Sequence, residues 1–284
     1  MAEETIPVGY QGVPGAYSHL ALQTYFAGKP VDARNFMLFE DVIQAVMEGK
    51  VRYGVLPIEN SSTGGITDVY DLVRRYGASI VGEKIVKVEH CLLACPGAKL
   101  EGITEVYSHP QGFSQCQVFF KEHPAMRQFN YFNTAKAAHL VPQKKAPQMA
   151  ALAGAQAAEQ YGLAILARGI NTNQSNYTRF IILSRQRELV PEADKITLIV
   201  SLKHQPGSLY RVLSHFARYR INMTNIESRP IPGRPWEYYF HIDITGHLTD
   251  PAVQKALGDL PEDTTECKIL GNYPADHGKE EKES

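Results

Sequence analysis

Thr178 and Arg179, in the stretch Asn176-Tyr177-Thr178-Arg179-Phe180, set a hydroxyl beside a guanidinium directly ahead of the apolar run Phe180-Ile181-Ile182-Leu183. The run predicts a strand, and the first residues of a strand are held rigidly enough to aim a catalytic hydroxyl. Four polar segments upstream could complete a site. In the first, Tyr10 to His19, Gly9, Gly12 and Gly15 do not fit G-x-G-x-x-G, and Pro14 sits within the turn. It is either a tight βα turn or a loop whose backbone and Ser18 hydroxyl meet a small anion. Glu59-Asn60-Ser61-Ser62-Thr63-Gly64-Gly65 is richer. One of its residues would suffice to cap the helix that follows, so the excess of donors points to an anion site at a helix N-terminus.

The third segment, Ser108-His109-Pro110-Gln111, has Gln115 one helical turn on, so Gln111 and Gln115 share a face. His109 is a general base or bonds its own loop. In the fourth, Asn133-Thr134-Ala135-Lys136-Ala137-Ala138, Thr134 is a helix cap or a ligand contact. No Ser-His-Asp or Cys-His set and no metal cluster accompanies these segments. The four cysteines, Cys91, Cys95, Cys116 and Cys267, show neither disulfide nor zinc spacing, and His90 has no second histidine at ligand distance. Neutral donors without a nucleophile–base pair suit an anionic substrate whose reaction needs placement and one hydrogen-bond donor.

The elements that must position these groups follow from periodicity. A chain of 284 residues with a formal charge of −1 suits a globular protein of one or two domains with no general pull on nucleic acid or membrane. No apolar run reaches the roughly 20 residues of a membrane helix, and the start lacks the pattern of a signal peptide. From Ile6 to Leu183 short strands alternate with helices, which predicts an α/β fold with a largely parallel sheet and ligands beyond the carboxyl ends of its strands. Pro147 to Tyr161 reads as an alanine-rich helix. Arg185 to Asp194 is polar and breaker-rich, a domain boundary. Beyond it the order β-α-β-β-α-β is ferredoxin-like, with Trp236, Tyr238, Phe240, Ile242 and Ile244 alternating with more polar residues.

The ordered motifs resemble those of the prephenate dehydratase family in its form without a fused chorismate mutase. They are Gly12 to Ser18, Pro57 to Ser61, Ser108 to Gln111, Thr134 to Ala138 and Asn176 to Phe180. The C-terminal part resembles the family's ACT regulatory domain through Gly207-Ser208-Leu209 and Glu227-Ser228-Arg229-Pro230. Ala16 and Asn133 depart from the usual threonine and from the usual serine or aspartate. The resemblance implies a catalytic region over residues 1–187, two-lobed like type 2 periplasmic binding proteins. Lobe one would span about 1–78 and 165–187, lobe two about 79–164. The ACT domain would cover 194–273, with a disordered tail over 274–284.

The implied reaction converts prephenate to phenylpyruvate, water and carbon dioxide, in the cytoplasm and without cofactor or metal. Thr178 would donate a proton or hydrogen bond to the leaving hydroxyl. Ser18, Asn60, Ser61, Ser108, Gln111, Gln115 and Thr134 would position the substrate. Arg179 is a carboxylate clamp or a scaffold partner of Glu59. Glu59 and Phe180 would stand behind the contact residues. The effector L-phenylalanine would sit between two ACT domains of a homodimer or homotetramer, held by Gly207, Ser208 and Leu209 and by Asn225, Ile226, Glu227 and Ser228. Arogenate, with identical ring chemistry, is the alternative substrate. A non-catalytic amino-acid sensor is the alternative of another class.

Overall fold

The computed structural model describes residues 4–278. Its first sheet is built from β1 (Ile6–Gln11), β2 (Val31–Phe36), β3 (Tyr53–Asn60) with the two-residue β4 (Gly64–Gly65), and β5 (Ser79–Lys87). Helices α1 (Tyr17–Tyr25), α2 (Phe39–Met47) and α3 (Thr67–Tyr76) connect these strands. The second sheet holds β6 (His90–Ala94), β7 (Glu105–Ser108), β8 (Arg127–Asn130), β9 (Met149–Gly154) and β10 (Ala164–Ala167). Helices α4 (Pro110–Gln115), α5 (Gln117–Glu122), α6 (Thr134–Lys144) and α7 (Ala155–Tyr161) complete that lobe. The chain then returns as β11 (Tyr177–Ser184) to the first sheet, whose order is β2-β1-β3-β11-β5.

The N-terminal region is therefore two-lobed, with both crossings later than expected. β5 pairs along its length with β11, so the chain leaves lobe one after residue 87 rather than near 78. β10 pairs with β6, so the return follows residue 167. The sheets are mixed rather than largely parallel: β11 runs antiparallel to β3 and β5, and β6 antiparallel to β9 and β10. This reversal positions the site. An antiparallel strand begins at the edge where its parallel neighbours end, so Thr178 lies opposite Asn60 at the carboxyl end of β3.

The helix expected over Pro147 to Tyr161 is a strand followed by a shorter helix. Every residue of β9 is buried, because both faces of this central strand are covered. The alanines give little width there, and burial between layers overrides their helical propensity.

The C-terminal domain comprises β12 (Lys195–Leu202), α8 (Ser208–Arg218), β13 (Met223–Pro230), β14 (Tyr238–Thr245), α9 (Pro251–Asp263) and β15 (Thr264–Tyr273), in sheet order β13-β14-β12-β15. One face of the sheet carries Ile196, Leu198, Val200 and Ile242 against α8 and α9. The opposite face is also buried. Ile199, Tyr239, Leu270 and Tyr273 share a core with Ile58, Tyr70, Ile80 and Ile181 of lobe one. Fully burying an aliphatic side chain contributes about 1.5–3 kcal/mol, so this shared core couples the domain firmly to the first sheet. Approach is close: a Cβ on Gly271 would lie 1.9 Å from the Ile80 carbonyl oxygen.

Residues 274–278, expected to belong to a disordered tail, include anchored ones. Asp276 accepts from the Ile85 amide at 2.7 Å and pairs with Lys84 at 2.8 Å, and the Ala275 amide donates to Asp194 at 2.7 Å. Residues 279–284 of that expected tail lie outside the described residues. Among the described residues no helix is long and apolar enough to cross a membrane.

Candidate active site

A cavity of about 360 Å³ opens between the lobes, beyond the carboxyl ends of β1, β3 and β7. None of its lining residues is Lys, Arg, Asp or Glu. Helix N-termini supply positive potential instead. Ala16, Ile66, His109 and Asn133 are the N-cap residues of α1, α3, α4 and α6, and all four line the cavity, as does Phe39, the first residue of α2. The termini of α1, α2, α3 and α6 bring backbone N–H groups of a first turn and the positive end of a helix dipole, which together favour an anion, whereas α4 begins with Pro110 and its Gln111 and Gly112 amides are bonded to His109. Phe39, Pro57, Ile66, Val88 and Phe180 form apolar wall between them.

Thr178 is buried at this cavity, and the polarity of its hydroxyl is set by Asn60. The Asn60 Oδ1 accepts from the backbone N–H groups of Ser62 at 3.0 Å and Thr63 at 3.1 Å. Its Nδ2 must then face the other way, where its two protons are shared among Thr178 Oγ1 at 3.0 Å, Asn176 Oδ1 at 2.8 Å and the Tyr177 carbonyl at 3.1 Å. Because Thr178 Oγ1 accepts from Asn60, its own proton is left to donate into the cavity. Asn60 therefore both lines the site and orients the hydroxyl.

Ser18, Asn60, Gln111, Gln115 and Thr134 line the cavity with Thr178, and Phe180, expected to stand behind the contact residues, lines it too, because it faces the cleft past the slip in the β3 ladder. Ser18 Oγ donates to the Gln11 carbonyl, so its proton closes the turn rather than facing the cavity. Gln111 reaches across the cleft to Thr63 Oγ1 at 3.3 Å, and Gln115 bonds His90 Nε2 at 2.8 Å. The N-cap of α6 is Asn133, whose Oδ1 accepts from the Lys136 amide at 2.6 Å, which leaves Thr134 to the cavity. His109 accepts from the Gln111 amide at 3.2 Å, so it bonds its own loop while lining the site.

Three expected contact residues are elsewhere. Ser61 bonds the Ser175 carbonyl at 3.1 Å and the Tyr177 amide at 2.9 Å, fastening the segment that enters β11. Ser108 is fully buried and donates to the Leu152 carbonyl at 2.7 Å, tying β7 to β9. Arg179 points to the other side of β11, as strand alternation requires next to an inward Thr178. There it meets Glu59 at 2.9 Å, Asp243 of β14 at 3.0 Å and Glu83 at 3.3 Å. Burial opposes its charge, but the Asp243 and Glu83 carboxylates outweigh that and hold the guanidinium protonated well above its usual range. Arg179 is thus scaffold in this structure rather than a clamp, and Glu59 stands behind the site with it.

Residues not singled out beforehand also reach the cavity. Tyr17 lines it while donating to the Glu89 carbonyl at 2.7 Å, at the first crossing between lobes. His90 is buried there, and burial lowers its pKa, so it is neutral at neutral pH. Applying the βα-turn rule to β1 and β2 would have flagged Gln11 and Phe39. His90 needed the unforeseen antiparallel start of β6.

In the C-terminal domain, Gly207 caps α8 with φ of +79°, a left-handed conformation that favours glycine, ahead of Ser208 and Leu209. On β13 the alternation divides the second effector segment. Ile226 and Ser228 are exposed, whereas Asn225 bonds the Tyr70 hydroxyl at 3.3 Å and a Glu227 carboxylate oxygen lies close to Gly65. Arg229 grips Asp71 of α3 through two bonds of 3.0 and 2.7 Å.

Comparison with known proteins extends over both regions. Residues 8–188 match the family model for prephenate dehydratase, and residues 196–262 match that for the ACT domain. The bifunctional chorismate mutase/prephenate dehydratase of Escherichia coli K12 is 38% identical over 274 residues, covering 95% of this chain and 71% of that protein. Arogenate dehydratase 1 of Petunia hybrida is 40% identical over 296 residues, covering 97% and 68%. Among solved structures, a prephenate dehydratase from Arthrobacter aurescens in complex with L-Phe is 31% identical with a TM-score of 0.85, covering 95% of this chain and 90% of that one. GqqA, described as a novel type of quorum quenching acylase, is 34% identical with a TM-score of 0.87, covering 95% and 98%.

Proposed function

The chain belongs to the prephenate dehydratase family, and on that premise we propose that the interlobe cleft converts prephenate to phenylpyruvate with Thr178 as donor to the leaving hydroxyl. The observation that carries this role is the Asn60-to-Thr178 hydrogen bond, which turns the threonine proton toward the cavity. The ring carboxylate departs as carbon dioxide, its bonding electrons enter the ring, and the hydroxyl on the opposite carbon leaves as the ring aromatises. A threonine hydroxyl is a weak acid, so it helps only as negative charge grows on that oxygen. The proton that completes water is replenished from solvent.

The dianion is held by helix N-termini, with Gln111, Gln115 and Thr134 supplying directional bonds and Phe180 and Phe39 packing on the ring, while the Ser18 hydroxyl donates its proton to the Gln11 carbonyl and shapes the turn. A lining free of carboxylates favours this charge. It also favours prephenate over arogenate, whose ammonium would find no anionic partner there. Among the described residues no cleft hydroxyl is hydrogen-bonded to a histidine, so the geometry offers less to acyl transfer than to this elimination. Initial rates with prephenate and with arogenate in parallel test the assignment. A higher kcat/KM on prephenate is expected, and a higher value on arogenate would replace the substrate.

The C-terminal domain binds L-phenylalanine as inhibitor between two copies of the chain in a homodimer or homotetramer. Gly207, Ser208 and Leu209 come from one copy, and the Asn225–Ser228 segment from the other, with Ile226 and Ser228 presenting the free side chains. Four unpaired thiols accord with a reducing compartment, the cytoplasm. Calorimetry at millimolar L-phenylalanine tests the effector role, and no binding would remove it.

A further inference from the structure

Arg179 and Thr178 are neighbours on β11, one facing the C-terminal domain and the other the cleft. Both are pinned by ladders on two sides: Thr178 opposite Asn60 and Val86, Arg179 opposite Glu59 and Ile85. The pairing with β3 then slips by one residue between Arg179 and Phe180, whose partners are Glu59 and Pro57, so Ile58 is the extra residue of a bulge in β3 where that strand can bend away from β11. The Arg179 side chain is only 12% exposed, so water competes poorly with its partners. Two of these carboxylates, Glu59 and Glu83, belong to lobe one, and Asp243 belongs to the C-terminal domain.

Asp243 is itself held in place. Its Oδ1 accepts from Thr197 Oγ1 at 2.6 Å, and Thr197 bonds the buried Tyr273 hydroxyl at 2.7 Å. Lys195 lies 2.8 Å from Glu83 and 3.6 Å from Asp243. In the ladder Asp243 pairs with Asn225, at a bulge between Met223 and Asn225, and Thr224 Oγ1 donates to its carbonyl at 3.4 Å. One residue of β14 thus meets the effector strand through its backbone and Arg179 through its side chain.

We infer that Asp243 is a positioning residue that carries the state of the C-terminal domain to Thr178 by way of Arg179. This rests on the readings of Thr178 as donor and L-phenylalanine as inhibitor. A shift of β13 at Asn225 on effector binding moves β14 at Asp243. Arg179 follows the Asp243 carboxylate, and β11 shifts against β3 at the Ile58 bulge. The Thr178 hydroxyl then turns from its alignment with Asn60 without any change at the rest of the cleft. Coupling between two sites requires such an element, biased by both.

The test is Asp243→Asn in the full chain, assayed for L-phenylalanine binding by calorimetry and for phenylpyruvate formation with and without the amino acid. Effector affinity is expected to stay within about threefold of the parent, and uninhibited turnover within about fivefold with KM within about twofold, while half-maximal inhibition needs at least about tenfold more L-phenylalanine. Inhibition equal to the parent's would overturn the inference while leaving both underlying readings intact. Failure of the parent to bind L-phenylalanine would take it down together with the effector reading. Should Asp243→Asn not fold, Thr197→Val frees the same carboxylate and should raise the half-inhibition concentration in the same direction; no change would again overturn it. Tyr239→Phe removes a hydrogen bond to Asp71 from the same strand without touching Arg179. It should be inhibited like the parent, and equal attenuation there would assign the effect to a loosened interface.

Discussion

Replacing Thr178 by valine keeps the size and β-branching of the side chain and deletes only the hydroxyl. In the folded protein the loss is small. Asn60 Nδ2 retains Asn176 Oδ1 at 2.8 Å and the Tyr177 carbonyl at 3.1 Å, so one hydrogen bond disappears, a cost of about 1 kcal/mol. At the transition state the loss is larger. A positioned donor contributes about 10²–10⁴-fold, roughly 3–5 kcal/mol. The helix N-termini that hold the carboxylates are untouched, so KM should change by less than about threefold, the signature of an interaction made only in the transition state. The assay pairs denaturant unfolding with phenylpyruvate formation. Thr178→Val should unfold within about 1 kcal/mol of the parent yet lose at least about 10²-fold in kcat, and Thr178→Ser should recover most of that loss. A folded valine variant within about tenfold of the parent's kcat would refute the donor role, because no other group would then be missing.

Two further outcomes follow from the same geometry. Asn60→Asp leaves one oxygen bonded to the Ser62 and Thr63 amides and turns the other on Thr178, which must then donate to it. Kinetics should show kcat down by about 10²-fold or more and KM raised by the added negative charge; normal turnover would dissolve the Asn60–Thr178 relation. His241, 2% exposed, has its pKa pushed down to about 4 by burial. The unfolded chain binds its proton near about 6.5, so the stability this neutral imidazole contributes is complete above that pH and is lost as pH falls towards about 4. The loss from this group is about 2 kcal/mol by about pH 5 and about 3 kcal/mol below both values. Urea unfolding at neutral and mildly acidic pH should show this slope in the parent and a shallower one in His241→Gln; equal slopes would mean the group titrates normally.

Much of this arrangement is visible in the sequence, and what is hidden has identifiable causes. Donors massed after apolar runs, as in Glu59 to Gly65, mark strand ends that meet at a cleft, and Thr178 is found with them. Pattern alone does not give strand direction. The antiparallel entry of β11 and β6 brings Thr178 and His90 to the edge where β3 and β9 end, and it shifts both lobe crossings. Composition misleads at Met149–Gly154, where alanine serves narrowness between layers rather than helix formation. The alternation in β14 marks one buried face, yet Tyr239, His241 and Asp243 are buried too, because a second domain lies against them. The same unseen contact decides Arg179. Its side chain faces away from Thr178 and finds three carboxylates, one of them 64 residues downstream. Ser61 and Ser108 sit in donor-rich motifs but spend their hydroxyls on backbone carbonyls that hold the motifs in shape.

Ile199, Tyr239, Leu270 and Tyr273 fill the same core as Ile58, Ile80 and Ile181 of the catalytic sheet. A sensor appended as a free module could be exchanged between proteins with its linker and leave the enzyme beneath unchanged. One that forms the far wall of the sheet carrying Thr178 cannot be traded so easily. A methylene gained at residue 199 must be matched by one lost at residue 58 or 181, across a boundary that looks in sequence like a hinge. Variation on the two sides is therefore expected to be correlated, and the catalytic and regulatory segments of this chain to be inherited as one unit.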